Sequence, residues 1–429
     1  MADSQSDTSF YEARSLEIFE KGAGCKDVLS TDGWHLLKEE VSLPIAVLNI
    51  KDLNSNARWM QAFSEKAKVK LAPHGKTTMA PTLFHQQLEQ GCWGISLATV
   101  AQVHNAFVHG IKRIIMANQL VGKYHMNAIA ELLATGELDF YCFVDSVQNI
   151  HALGEFFTQR NLDLNILIEV GVEHGRCGWR DADNITPLLE AIRLYPRLKL
   201  SGLSFYEGVI HSENAQAMVS DFVERICALF ARLYHSKHFS LTEPILTGAG
   251  SAWYDLVSDI IVSSPALQGI DLTAIIRPGC YLIHDKGIYQ DAQNQVLGRS
   301  QIACDLKGDL VSSLTVWAYV HSVPESGFAI VGAGKRDFAF DAGFPKPEWV
   351  YRPTSDCLAL RPTRIDQHCE VIKVMDQHCM ISFDTTLSLA PGDMVCFSTS
   401  HPCLTMDKWR YIALIDEDFV VRKTIETFF

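Results

Sequence analysis

The sequence predicts an α/β protein of two domains, a (β/α)8 TIM-like barrel followed by a C-terminal all-β domain. Short apolar runs alternate with longer amphipathic stretches from about residue 44 to about residue 280, the pattern of a parallel sheet built from strand–helix repeats. The number and length of the repeats favour a closed eight-stranded barrel over an open sheet. Beyond about residue 281 the helical period gives way to short alternating strands separated by Gly/Pro turns. The expected division is residues 1–40 as an N-terminal segment packing with the β-domain, 41–280 as the barrel, and 281–429 as the β-domain.

Taken in order, Pro44–Ile50 reads as the first strand, and Leu53–Ala67 as a helix with Trp59, Met60 and Phe63 on one face. Further strands are expected at Lys68–Ala72, Gly94–Leu97, Arg113–Ala117, Phe140–Val144, Leu164–Val170, Leu198–Phe205, Pro244–Thr247 and Ile275–Arg277. Helices at Met79–Gln90, Val100–His109, Met126–Ala134, Ser146–Thr158 and Ala215–Tyr234 separate most of them. In the second domain, strands are expected at Leu310–Val323, Phe328–Val331, Glu370–Met375, Cys379–Ser382 and Met394–Ser398.

The chain has 429 residues, of which 48% are hydrophobic and 20% charged, enough apolar material for two cores. A net charge of -13 argues against nucleic acid or an anionic membrane surface as partner. The first residues are polar and acidic, so neither a secretory signal nor a transit peptide is expected at the N-terminus. No apolar run is long enough to span a bilayer. The 12 cysteines contain no C-x-x-C pair and read as reduced thiols of a cytoplasmic protein.

Lys76 carries the strongest chemical signal. The run Val69-Lys70-Leu71-Ala72 is strand-like, Pro73 and Gly75 stop it, and Thr77 or Thr78 can cap a following helix. A lysine where a buried strand breaks open would be desolvated, which would depress its pKa and make the amine nucleophilic. The alternative is a lysine in a strand–helix turn that meets a carboxylate. Gly248-Ala249-Gly250-Ser251 follows a late strand and precedes a helix; small residues there let backbone N–H groups approach a phosphate. Gly175-Arg176-Cys177-Gly178 places an arginine at a strand end, free to donate to an anionic oxygen or to pair with Glu169 or Glu173. Tyr206, at the end of the next strand, is a stacking platform or a core tyrosine. His401 and Cys403, two apart in a segment read as extended, would point to the same side and offer nitrogen and sulfur to one ion, zinc being the best fit. A buried His and Cys without metal is the other reading.

Several of these segments together resemble a family. Pro73-His74-Gly75-Lys76-Thr77, Gly91-Cys92-Trp93-Gly94-Ile95-Ser96 and Ala98-Thr99-Val100-Ala101-Gln102 resemble the N-terminal half of the alanine-racemase-like (fold type III) pyridoxal-phosphate enzymes, most of all the D-serine dehydratase and D-threonine aldolase branch. The likeness runs, with gaps, from about residue 40 to about residue 415. It implies that Lys76 holds pyridoxal 5'-phosphate as a Schiff base and that Arg176 lies near the cofactor's phenolate oxygen. It also sets Tyr206 against the pyridine ring and Gly248–Ser251 on the phosphate. Arg277-Pro278-Gly279-Cys280-Tyr281 is similar to an R-P-G-x-Y element whose tyrosine, here Tyr281, helps hold the phosphate. His401-Pro402-Cys403, with Asp407-Lys408-Trp409 downstream, is similar to the zinc motif of the dehydratase branch, whereas the aldolase branch tends to carry histidine and aspartate.

The resemblance implies a D-serine dehydratase-like lyase, with Lys76 removing the α-proton and zinc on His401 and Cys403 aiding departure of the β-hydroxyl. A D-threonine aldolase, a racemase and a non-enzymatic vitamin-B6 carrier are the rivals. The size of the β-domain counts against the carrier. Arg180, His211, Asn214 and Lys335 are candidates for an extra substrate carboxylate. Relatives imply a homodimer acting on a small D-amino acid.

Overall fold

The run expected to open the barrel does form a strand, β1 (Ile45–Asn49), but it lies in the other sheet. The protein is described by a computed structural model over residues 21–22, 33–353, 361–384 and 386–429. It divides into two compact units. One comprises Asn54–His284, Ile288–Val311 and Phe428–Phe429; the other comprises Met1–Leu53, Asp285–Gly287 and Ser312–Thr427.

The first unit is an eight-stranded parallel sheet of β2 (Lys70–Leu71), β3 (Ile95–Leu97), β4 (Arg113–Gln119), β5 (Asp139–Val144), β6 (Leu164–Val170), β7 (Leu198–Phe205), β8 (Ile245–Gly248) and β9 (Thr273–Ile276). Their order is β2-β9-β8-β7-β6-β5-β4-β3. The sheet then returns on itself: Trp93 N donates to Leu71 O at 2.7 Å, Ser96 N to Pro73 O at 2.9 Å, and His74 bridges Ser96 in parallel register. Ala72, Ile115, Tyr141, Phe143, Leu167, Ile245 and Ile275 fill the interior. The eight later strand predictions thus supply this sheet, and only the first one joins the second sheet.

Helices α1 (Ile50–Lys66), α2 (Pro81–Glu89), α3 (Val100–Val108), α4 (Lys123–Ala134), α5 (Val147–Arg160), α6 (Thr186–Arg193), α7 (Ala215–His235) and α8 (Tyr254–Ser263) alternate with the strands. Thr99 caps α3 and Ser146 caps α5, each accepting from an amide of the first turn. Neither Thr77 nor Thr78 caps α2. That helix begins at Pro81 after an uncapped Ala80, because proline at the first helical position has no amide to satisfy. Helices α9 (Ile288–Arg299) and α10 (Gln301–Cys304) also belong to this unit, so the barrel unit extends past residue 280 and the strand-rich texture begins later than expected.

The second unit joins β1 to β10 (Leu314–Glu325), β11 (Phe328–Val331), β12 (Lys346–Tyr351), β13 (Thr363–Arg364), β14 (Cys369–Val374), β15 (Cys379–Phe383), β16 (Met394–Ser398), β17 (Tyr411–Ile415) and β18 (Val421–Glu426). The main path is β13-β12-β16-β10-β1-β17-β18, with β11, β15 and β14 branching from β10. Val47 sits opposite Thr315 in antiparallel register and Ala413 in parallel register. All other pairings in this sheet are antiparallel, which suits a sheet joined by short turns. Trp34, Leu37, Ile45, Trp317, Met394 and Ile415 form its core. Of the N-terminal segment 1–40, residues 1–20 and 23–32 lie outside the described residues. Within the same unit His35 bridges Val420, and Lys21 lies 2.8 Å from Asp337 with its ammonium over the Trp409 ring.

Candidate active site

At the carboxyl end of β2 the chain breaks into a single 3-10 turn, Gly75–Thr77, and this turn presents Lys76. A side chain on Gly75 would collide with the Phe84 ring at 2.8 Å, so the turn can sit directly on α2 only with glycine there. Lys76 is exposed, which corrects the expected desolvation: the turn lifts its side chain out of the barrel wall. Its neighbour His74 is half-buried, with its Nδ1 on the inner side. Burial, then the charges of Lys76, Arg277 and Arg176, hold its imidazole well below the usual histidine range, and its buried Nδ1 has no hydrogen-bond partner among the described residues. The charges of three cations, from the segments that follow β2, β6 and β9, thus act against protonation of this imidazole.

Arg277 follows β9 and is 5% exposed. Its guanidinium donates to Thr247 Oγ1 at 2.6 Å and to the Phe205 carbonyl at 2.9 Å. Burial pulls its pKa down to about 10, opposed by the carboxylates of Glu207 and Glu169. Sequence reasoning quoted Arg277 but assigned it no role; its position directly after an apolar strand at a barrel mouth was the available signal. Glu169, at the end of β6, accepts from Gln119 Nε2 at 2.6 Å, and burial raises its pKa. Glu169 Oε, Asp145 Oδ and Cys177 Sγ all lie within 4.8 Å of one another.

Arg176 is exposed in the loop after β6, with its guanidinium 4.3 Å from the centroid of the Tyr206 ring. Burial raises the Tyr206 pKa, and the Glu207 charge adds to this. Arg180 donates to the carbonyls of Arg176, Cys177 and Gly178, so it shapes this loop and is not free for a substrate carboxylate. His211 and Asn214 are exposed in the segment leading to α7, and Lys335, in the other unit, lies over the Phe340 ring at 5.0 Å.

The turn Gly248–Ser251 follows β8 as expected, with Ala249 in the left-handed region at φ 62. Two of its amides are already engaged. Ala249 N donates to Glu207 Oε2 at 3.0 Å and Gly250 N to Glu207 Oε1 at 2.8 Å. The Ser251 hydroxyl accepts from Cys280 N at 3.2 Å. Tyr281 is buried; its hydroxyl accepts from Gln87 Nε2 at 2.9 Å and bonds to the Cys92 thiol. Its ring lines a small internal cavity with Ser251, but the hydroxyl faces α2 and not the glycine turn.

In the other unit, His401 is extended (φ -151) and stands at the N-terminus of the short helix α11 (Pro402–Met406). Cys403 is therefore in a helical turn and not in an extended segment, because Pro402 starts the helix directly after His401. The two side chains still meet by hydrogen bond. His401 Nδ1 also lies 2.7 Å from Asp341 Oδ2. The Cys403 and Asp341 acceptors raise the imidazole to about 9 against the cost of burial. Asp341 went unread in the sequence, since nothing in Phe340-Asp341-Ala342 marks a ligand-orienting carboxylate. Among the described residues no cysteine forms a disulfide, and no described helix is long and apolar enough to cross a membrane.

Residues 48–258 match the family described as alanine racemase, N-terminal domain, and residues 313–415 match a putative serine dehydratase domain. A D-threonine aldolase of Arthrobacter sp is 28% identical over 325 residues, covering 74% of this chain and 79% of that protein. Among solved structures, D-threonine aldolase from Filomicrobium marinum gives a TM-score of 0.74 at 19% identity, over 92% of this chain and 97% of that one. D-threo-3-hydroxyaspartate dehydratase from Delftia sp. HT23 gives 0.69 at 20% identity, over 92% and 99%. At such identity these two likenesses establish the fold, a curled parallel sheet with a separate antiparallel domain.

Proposed function

We propose that this chain, which joins an alanine racemase N-terminal domain to a serine dehydratase domain and so belongs to the alanine-racemase-like (fold type III) pyridoxal-phosphate enzymes, is a lyase of D-β-hydroxy amino acids. The finer reading is a zinc-dependent dehydratase that converts a substrate such as D-serine to a 2-oxo acid and ammonia. One observation carries that choice: the His401 ring is held by the Asp341 carboxylate on one nitrogen and bonded to the Cys403 thiol. A nitrogen and sulfur pair with a carboxylate behind the imidazole is the chemistry of a zinc site with positions left for substrate.

The donors at the barrel mouth fit pyridoxal phosphate, and the orphaned Nδ1 of His74 lies among them. Bound there, the cofactor would supply an electron sink that acidifies the substrate's α-carbon. Lys76, on its exposed turn, would carry the cofactor aldehyde and, once displaced by substrate, take the α-proton at Nζ. Arg176 would bind an anionic oxygen while its plane rests on Tyr206, and the Ser251 hydroxyl would donate to the phosphate. His401 and Cys403 would hold zinc, whose Lewis acidity makes a β-hydroxyl a competent leaving group.

The relative from Arthrobacter favours a second reading. An aldolase with the same cradle would deprotonate the β-hydroxyl and break the Cα–Cβ bond, giving glycine and an aldehyde. Purified protein assayed on D-serine, D-threonine, D-threo-3-hydroxyaspartate and their L-counterparts separates the two. The dehydratase reading expects 2-oxo acid with ammonia, lost on chelation; glycine with an aldehyde as the main product would move the assignment to the aldolase. We read the active form as a cytoplasmic homodimer, and a fully active monomer in sedimentation would reject that.

A further inference from the structure

We propose that Glu207 is a positioning residue for the cofactor's phosphate turn. Its carboxylate holds the Gly248–Ser251 turn through the Ala249 and Gly250 amides and leaves the phosphate to the donors that follow. This rests on the pyridoxal-phosphate reading. Glu207 stands at the end of β7 and is 0% exposed. Each of its oxygens accepts from the turn, at 3.0 Å from Ala249 N and 2.8 Å from Gly250 N, and its own backbone amide bonds to it as well. Ala249 takes a left-handed φ of 62, a conformation that a residue with a Cβ keeps only when its surroundings hold it. A carboxylate gripping the two amides around that residue is such a hold.

The rest of the turn is arranged around the same carboxylate. A side chain on Gly248 would enter the Phe205 ring at 2.2 Å, and one on Gly250 would press on Tyr206 at 3.0 Å. The turn therefore packs on the two residues that precede Glu207 in the chain. Among the described residues nothing accepts from the Ser251 or Ala252 amides, while the Ser251 hydroxyl accepts from Cys280 N and keeps its own proton to donate. Arg277, bonded to Thr247 Oγ1 one residue before the turn, places a positive charge beside Glu207. That charge offsets the repulsion between a buried carboxylate and a phosphate sharing one turn.

The test compares pyridoxal phosphate with pyridoxal, which lacks the phosphate, for binding to metal-loaded full-length protein. Glu207→Gln keeps the shape but turns an –NH2 toward one of the amides. Its affinity for pyridoxal phosphate should fall about tenfold or more, the scale of a lost hydrogen bond to a charged group, while pyridoxal binding stays near wild type. Ser251→Ala should weaken the phosphate-bearing aldehyde selectively as well. A cofactor-independent readout is amide hydrogen exchange. Ala249 and Gly250 should be protected in the wild type and lose protection in Glu207→Gln, whereas Ser251 and Ala252 should gain protection only on adding inorganic phosphate. Should Glu207→Gln fold poorly, Glu207→Asp keeps the charge but is too short to reach both amides, and it should lose the same protection. Tighter binding of pyridoxal phosphate by Glu207→Gln would make Glu207 a competitor of the phosphate and overturn the proposal. Equal weakening of both aldehydes, or unchanged exchange at Ala249 and Gly250, would overturn it too. If wild-type protein binds neither aldehyde the functional reading fails, and the exchange and phosphate results still decide the role of Glu207.

Discussion

Two histidines in this protein are driven in opposite directions, and the contrast shows how its two sites differ. His74, at the barrel mouth, is pushed well down by burial and by the charges of Lys76, Arg277 and Arg176. His401, in the β-rich unit, is pushed up to about 9 by Cys403 and Asp341. The barrel mouth sets Lys76, Arg176 and Arg277 beside the carboxylates of Glu169 and Glu207, and its cations favour an anionic ligand. The His401 site is built from acceptors and suits a cation. The same side chain is held neutral among cations in one unit and held charged beside acceptors in the other, which is the contrast the proposed phosphate and metal sites rest on.

The largest effect should come from the cation that carries chemistry. Lys76→Ala should lower turnover by about 10⁴-fold or more, since on the proposed reading one amine would serve as cofactor anchor and proton acceptor. Because Lys76 is exposed, the melting temperature should barely change, and calorimetry beside the assay checks both halves. A marked loss of stability would mean that the turn and not the amine had been damaged.

Arg277 is the opposite case, a cation whose removal should cost stability first. Arg277→Met removes the positive charge near the buried Glu207 and Glu169 and the guanidinium's bonds to Thr247 Oγ1 and the Phe205 carbonyl, and should destabilise the barrel unit by about 1–3 kcal/mol for each acceptor left unpaired, measured by denaturant unfolding. A neutral result would show that the two carboxyls are protonated in the fold and need no cation.

Asp341 tests the acceptor-built site. Asp341→Ala should weaken zinc binding by about 10–100-fold, because nothing then accepts from His401 Nδ1 to fix the imidazole. Titration calorimetry with zinc measures this directly, and pyridoxal phosphate binding should not move. Equal zinc affinity in both proteins would reduce Asp341 to a surface partner.

The smallest effect is the pH signature of the contrast itself. In metal-free protein the His401 ring signals should titrate near pH 9, while His74 stays neutral well below pH 6.5. The signs follow from linkage: His401 stabilises the fold at low pH and loses that contribution as pH rises through 9. His74 contributes above its unfolded value and loses its contribution as pH falls below it. Nuclear magnetic resonance of the two rings reads both. Titration of both near 6.5 would remove the distinction.

The sequence by itself determined the parts whose cause is local. Alternation of short apolar runs with amphipathic stretches gave the eight barrel strands from Lys70 to Ile276, since burial on both faces makes each strand apolar along its length. Lys76 after Pro73 and Gly75 was visible because proline and glycine stop a strand wherever they occur, whereas the His401–Cys403 pair was read from its residue types and its extended backbone was not borne out. Tertiary structure decided what depends on partners far along the chain. β1 is as apolar as any barrel strand, yet it pairs with residues 314–317 and 413–415, and no local pattern says which sheet will take a doubly buried strand. Glu207 lies in plain sight within Tyr206-Glu207-Gly208, but only the fold sends its carboxylate to amides 42 and 43 residues away. Asp341 reaches His401 across 60 residues in the same way. Residue type fixes what a side chain can do, whereas its direction, burial and partner come from contacts that close only when the chain is folded.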